Sequence, residues 1–279
     1  MISFRDVTVT YPNGTVGLDS VTLDIAPGEF VVVVGLSGAG KSTLVRSING
    51  LVPVTGGELL VNDVHVDGAK ASQLRQLRSR IGMIFQSFNL VGRITVLQNV
   101  LVGRLHATPL LLSLVGYFRP SDREKAFEAL ERVGIVEKAY VRASQLSGGQ
   151  QQRVAIARVL AQDPTVILAD EPVASLDPPT AHMVMRDLER INDDLGITTI
   201  VNLHFLDLAR RYADRIIGMR DGRGVFDGPP SEADDAVFEQ IYGRSLTADD
   251  VLTEEELAEE AALEAARLAE DDTTEATTA

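Results

Sequence analysis

The chain has 279 residues, 45% apolar and 24% charged, the balance of a globular protein long enough to bury a sizeable core. It has no cysteine, which excludes disulfides and thiolate metal sites and fits a reducing compartment, and its histidines, His65, His106, His182 and His204, show no ligand spacing. The net charge of −14 sits at one end: residues 249–279 hold 12 acids and one Arg, the rest is close to neutral, and no basic face for nucleic acid is expected.

The first 35 residues suggest strands. Ile2, Phe4, Val7 and Val9 alternate, Leu23 and Ile25 do the same, and an apolar strand from Phe30 to Val34 follows the Pro27-Gly28 turn. These leading hairpins are expected at an antiparallel edge beside a parallel core. Helical patterns cover Ser42 to Asn49, Ser121 to Val133, Gln150 to Ala161 and Thr180 to Leu195. They alternate with short apolar runs at Ile81 to Phe85, Val166 to Ala169, Thr198 to Leu203 and Arg215 to Met219. Near-complete hydrophobicity marks parallel strands covered on both faces, so the fold class is α/β, a mostly parallel sheet with antiparallel edge hairpins. From about residue 87 to 145 strand signals give way to helical ones, and a helical subdomain, extending to about residue 160, is expected as an insertion.

The longest apolar stretches, Phe30 to Leu36 and Pro109 to Phe118, fall short of the roughly 18–20 residues of a spanning helix, and the first residues lack the features of a signal peptide. Near the other end, Thr253 to Glu256 form a capping box, but Leu257, Ala261, Ala265 and Leu268 give only a thin apolar stripe. A body over residues 1–248 is therefore expected to carry an acidic tail, 249–279, partly helical or disordered.

Three strings carry chemistry. Gly35, Leu36, Ser37, Gly38, Ala39, Gly40, Lys41 and Ser42 fit G-x-x-x-x-G-K-[ST] between a strand and a helix, with Thr43 following. Glycines there let successive N–H groups point at phosphate oxygens, and the next helix adds its positive end. In such a P-loop Lys41 reaches the β- and γ-phosphates of ATP and Ser42 ligates Mg²⁺. Asp170 and Glu171 close a buried strand, where the first can hold the magnesium shell and the second can polarise the attacking water. Ser147, Gly148, Gly149 and Gln150 open a helix after Leu146 and make a second anion-binding N-terminus. One ATP cannot easily fill both this site and the P-loop of the same subunit.

The Leu146 to Gln150 string, followed by Gln-Gln-Arg-Val-Ala-Ile-Ala-Arg158, resembles the signature of ABC transporter ATP-binding subunits. The likeness runs from about residue 2 to 243. It implies a P-loop NTPase core with an inserted signature subdomain, and a homodimer in which each signature helix closes over the partner's ATP. It further implies that Tyr11 stacks on adenine, and that Gln86 senses magnesium and the attacking water. Ser175, Leu176 and Asp177 would be the D-loop at the dimer interface, and His204 the switch histidine at the γ-phosphate. Two transmembrane permease subunits docking near residues 86–118, an extracytoplasmic solute-binding protein, and a peripheral place on the cytoplasmic side of the cell membrane are implied as well. Within the family, the strings Gly82 to Arg93, Asn99 to Leu105, Leu168 to Pro178 and Val201 to His204, with the apolar stretch Pro109 to Phe118, are similar to the phosphonate-import branch. An importer of another small solute, such as an amino acid, and a non-transport ABC ATPase are the alternatives.

Overall fold

The computed structural model describes residues 1–114, 116–247 and 250. The expected tail, apart from Asp250, lies outside the described residues.

Two sheets organise the rest. In the first, β1 (Ile2–Thr10) pairs antiparallel with β2 (Val16–Ile25) and β4 (Gly56–Val61), and the short β5 (Val64–His65) lies beyond β4. The second contains β3 (Phe30–Val34), β6 (Ile81–Phe85), β7 (Val166–Asp170), β8 (Thr198–Asn202), β9 (Arg215–Arg220) and β10 (Arg223–Gly228), in the order β10-β9-β3-β8-β7-β6. All neighbours are parallel except β9 and β10. The α/β class with a mostly parallel sheet therefore holds, with one correction. The leading hairpin strands do not extend the parallel sheet but form a sheet of their own, and the antiparallel edge strand is β10. The reason lies in their alternation: they bury one face only, and Ile2, Phe4, Val7 and Val9 share a core with Val31, Val33, Leu168 and Ile200 from one side of the parallel sheet. Helix α1 (Lys41–Ile48) contributes Leu44, Val45 and Ile48 to that layer.

The sheet's other side, including Val32, Val34, Ile84, Ile167, Ala169 and Val201, packs on helices. These are α3 (Val96–Leu101), α5 (Pro120–Arg132), α6 (Gly148–Leu160), α7 (Pro178–Leu195), α8 (Leu206–Tyr212) and α9 (Asp235–Tyr242). Continuous apolar strands are thus covered on both faces, as a parallel sheet requires. Between β6 and β7 the described residues hold helices, with α4 (Leu110–Leu114) among them, and one isolated bridge, Thr95 to Arg142. Elements with no clear sequence signal are short or glycine-broken: β4 opens on Gly56-Gly57, β10 contains Gly224 and Gly228, and α2 (Ala71–Arg78), α3, α8 and α9 span six to eight residues. Such segments are too brief for a 3.6-residue period to declare itself. Among the described residues no helix is long and apolar enough to cross a membrane.

Candidate functional site

Strand register aligns the residues that matter. Val33 pairs with Asn202, Asn202 with Asp170, and Asp170 with Phe85, so β3, β8, β7 and β6 finish level. Gly35, His204, Glu171 and Gln86 all lie just beyond those ends, the position where open parallel sheets bind ligands.

The P-loop joins β3 to α1 and needs glycine at two points. Gly35 has φ +150° and its missing Cβ would lie 2.2 Å from the Met219 carbonyl oxygen. Gly40 has φ +103°, and a Cβ there would lie 2.5 Å from the Gly17 carbonyl oxygen. Leu36, Ser37 and Gly38 are exposed, whereas Ala39, Gly40, Lys41 and Thr43 are buried. The Lys41 ammonium donates to the carbonyl oxygens of Gly35 at 2.6 Å and Leu36 at 3.2 Å, so the cation sits inside the curl of the loop. Burial pulls its pKa below the ordinary lysine value, opposed by the nearby carboxylates of Glu171 and Asp170. A concave loop, a helix N-terminus and a buried cation together make a site for a polyanion. Tyr11, at the end of β1, joins the loop through a 3.0 Å hydrogen bond between its hydroxyl and Thr43 Oγ1.

Asp170 is buried and fully engaged. Its Oδ1 accepts from Ser42 Oγ at 2.8 Å and Asn202 Nδ2 at 2.8 Å, and its Oδ2 accepts from Arg46 Nε at 3.0 Å. A second Arg46 nitrogen lies 2.8 Å from the same oxygen. The chain then turns sharply: Glu171 has φ +55°, a left-handed conformation rare outside glycine. Its Oε1 meets His204 Nε2 at 2.7 Å, and the His204 carbonyl oxygen accepts from the Tyr242 hydroxyl at 2.9 Å. Gln86 is exposed, one residue past the register partner of Asp170.

The signature residues and the 175–177 stretch form a second cluster. Ser147 caps α6, its Oγ accepting from Gln150 N at 3.4 Å while its own N–H donates to Gln150 Oε1 at 3.1 Å. Gly149 lets the helix approach α7, since a Cβ there would lie 2.4 Å from Thr180 Cγ2, and Gly148 faces Leu176. Asp177 caps α7, accepting from the Thr180 N–H at 3.0 Å and the Thr180 hydroxyl at 2.9 Å, and these bonds hold its pKa below the usual carboxylate range. Ser175 and Asp177 are exposed. The structure thus gathers Lys41, Ser42, Asp170, Glu171 and His204 at one place, with Tyr11 on the P-loop. It groups Ser147 to Gln150 with Leu176 to Thr180 as a separate surface.

Three residues of the first cluster carry no expected role: Arg46, Asn202 and Tyr242. Arg46 stands four residues after Ser42, on the same face of α1, and Asn202 ends the strand beside β7, so both were within reach of spacing arguments. Nothing local marks Tyr242. Among the described residues no group of three or more His, Cys, Asp or Glu could hold a metal. The hydroxyl of Ser42 and the carboxylate of Asp170 nevertheless form a hard-oxygen pair, a donor set that suits a Mg²⁺ also bound by substrate phosphates.

Comparison with known proteins points the same way. Residues 18–174 match the family described as ABC transporter. A protein of Shouchella clausii named "Phosphonates import ATP-binding protein PhnC" is 61% identical over 255 residues, covering 91% of this chain and 96% of its own length. A Bacillus anthracis protein of the same name is 58% identical over 259 residues, covering 93% of this chain and 98% of the relative. Among solved structures, a dimeric ATP-binding cassette in a post-hydrolysis state with ADP and Pi is similar at TM-score 0.70 and 36% identity, over 82% of this chain and 99% of that one. The cbiO1 protein of Clostridium perfringens, part of an ABC transporter complex, is similar at TM-score 0.74 and 32% identity, over 86% of this chain and 93% of that one.

Proposed function

The chain belongs to the ABC transporter family, and from that premise we propose that it is the ATP-hydrolysing subunit of an importer whose solute is a phosphonate or related oxyanion. The observation that carries the enzymatic part is the convergence of the P-loop cation, the Ser42–Asp170 pair and the Glu171–His204 pair at the ends of β3, β7 and β8. The solute is supported by relatives named as phosphonate-import ATP-binding proteins, which match nearly end to end.

In this reading the P-loop N–H groups and Lys41 bind the triphosphate, and Thr43 and Tyr11 border the nucleotide. Tyr11 offers its ring to adenine. Glu171 accepts the hydrogen bond of the attacking water, whose oxygen bonds to the γ-phosphorus as the bond to the β,γ-bridging oxygen breaks, releasing ADP and phosphate. His204 holds the Glu171 carboxylate and turns its ring toward the γ-phosphate, and Gln86 reports on the water from the end of β6. Ser42, Asp170 and Gln86 would hold Mg²⁺, which when bound supplies Lewis-acid stabilisation of phosphate charge. Arg46 and Asn202 keep the Asp170 carboxylate aimed at Ser42.

Residues 1–248 are proposed as the ATP-binding domain, with the helical subdomain at about 87–160 inserted in its core. The separate cluster of Ser147 to Gln150 with Ser175 to Asp177 would meet the P-loop of a second copy, giving a homodimer with two shared ATP sites. The exposed apolar residues Val91, Val102, Leu105, Leu111 and Tyr117 support permease docking from this helical stretch, which would hold the protein on the cytoplasmic face of the membrane. An extracytoplasmic binding protein would deliver the solute.

The test is growth. A strain lacking this subunit and any second importer is expected not to grow on an alkylphosphonate as sole phosphorus source, yet to grow on abundant phosphate. The wild-type gene restores growth. Lys41→Ala does not, because a phosphate-directed charge lost from a closed site costs on the order of 3 kcal/mol of transition-state stabilisation. Normal growth of the deletion strain on phosphonate would remove the solute assignment and leave the ATPase assignment standing.

A further inference from the structure

His204, the proposed switch residue, is held from two sides by groups outside the catalytic set. On one side the Leu203 N–H donates to the Val33 carbonyl oxygen at 3.0 Å, tying the loop to β3. On the other, the Tyr242 hydroxyl donates to the His204 carbonyl oxygen at 2.9 Å, from an element 38 residues away in sequence. Tyr242 is the last residue of α9 and only 5% exposed. Its ring is covered in turn by Arg244, whose guanidinium carbon lies 5.5 Å from the ring centroid. Asp250 locks that arginine with two hydrogen bonds, at 2.7 and 2.8 Å, and also accepts from the N–H and hydroxyl of Thr247 at 2.7 and 2.9 Å. Burial pushes the Tyr242 phenol well above its ordinary range, with the Asp250 carboxylate adding to the rise and Arg244 opposing it. The hydroxyl therefore remains a neutral donor throughout the physiological range.

A backbone carbonyl bonded by a buried, rigid side chain cannot drift without breaking that bond, and His204 Nε2 lies 2.7 Å from Glu171. We propose that Tyr242 is a positioning residue for hydrolysis, and that the chain from α9 to Asp250 is a clamp fixing the His204 imidazole against Glu171. This rests on the proposed roles of Glu171 and His204, and the experiment separates the two ideas.

Tyr242→Phe keeps the ring and its packing and removes only the donor. Loss of one hydrogen bond is expected to lower kcat for ATP about two- to tenfold, with KM little changed and the melting temperature lowered by no more than a few degrees. In ¹⁵N-histidine spectra of the full chain, the His204 imidazole signals, identified by their loss in His204→Ala, are expected to move. Asp250→Asn, which loosens the clamp without touching Tyr242, is expected to produce a smaller change of the same kind. Unchanged kcat and unmoved His204 signals in Tyr242→Phe would reduce Tyr242 to packing, even where His204→Ala abolishes turnover. Normal turnover in His204→Ala would overturn both the clamp and the role given to the pair.

Discussion

Glu171 combines an unfavourable backbone with a specific partner. Its left-handed φ of +55° costs on the order of 1–3 kcal/mol in a non-glycine residue, and the turn places its carboxylate 2.7 Å from His204 instead of continuing β7. Glu171→Gln preserves shape and a hydrogen bond to His204 while removing the base. Turnover is expected to fall by about 100-fold or more, with ATP binding retained. The variant should elute from gel filtration in ATP as a dimer, and near-normal turnover would show that another group polarises the water. The residues of this site were legible in proportion to how locally their chemistry is written. Gly35 to Ser42 and Asp170-Glu171 are contiguous strings whose residue types follow from phosphate and magnesium binding. Arg46 and Asn202 act on Asp170 across 124 and 32 residues, yet their spacing from Ser42 and their strand position point to them, whereas Tyr242 acts on His204 across 38 residues and only folding brings its role into view.

Among the elements, the contact between α6 and α7 is the tightest constraint on the signature surface. A Cβ on Gly149 would lie 2.4 Å from Thr180 Cγ2 but 3.9 Å from Thr180 Oγ1. The Thr180 methyl cannot rotate away cheaply, because its hydroxyl is engaged by Asp177 Oδ2 at 2.9 Å. Gly149→Ala is therefore expected to overpack this seam by about 1–3 kcal/mol, lowering both melting temperature and ATP-dependent dimerisation. Adding Thr180→Ser removes the clashing methyl and keeps the bond to Asp177, so the double variant should recover most of the loss. Failure of that recovery would mean that Gly149 is needed for something other than closeness to α7. The same seam explains what the sequence did and did not disclose. Long helices such as α6 and α7 announce themselves by period, whereas their mutual approach depends on one missing side chain. The two-sheet arrangement was hidden in a similar way: alternation identifies a strand with one buried face, but Ile2, Phe4 and Val7 do not say which layer that face will meet.

For the molecule as a whole, the question is where the body ends and the acidic tail begins. Charge alone puts the boundary at residue 249, but Asp250 is only 7% exposed and is bonded to Arg244 and Thr247. Residues 251–279 hold ten acids and one Arg with little apolar stripe. Charges in solvent are screened beyond about 8 Å at physiological ionic strength, so a segment of this composition is expected to contribute little to folding. Deleting 251–279 is accordingly expected to leave melting temperature and ATPase activity nearly unchanged. Deleting 249–279 also removes Asp250, leaving Arg244 and the Thr247 N–H without their carboxylate. With Arg244 partly exposed the loss is about 1 kcal/mol, which lowers the melting temperature by roughly 2–4 °C in a chain of this size. The Arg244 hydrogen bond, more than any other contact, brings the Asp250 pKa from 3.8 down to about 2 in the folded protein. A carboxylate with a lowered folded-state pKa stabilises fully above its unfolded value, and that stabilisation fades as pH falls through the folded one. The gap between the two truncations should therefore be full at neutral pH and close between pH 4 and pH 2, as followed by calorimetry. A drop of several degrees on deleting 251–279 alone would instead mean that the tail packs against the body.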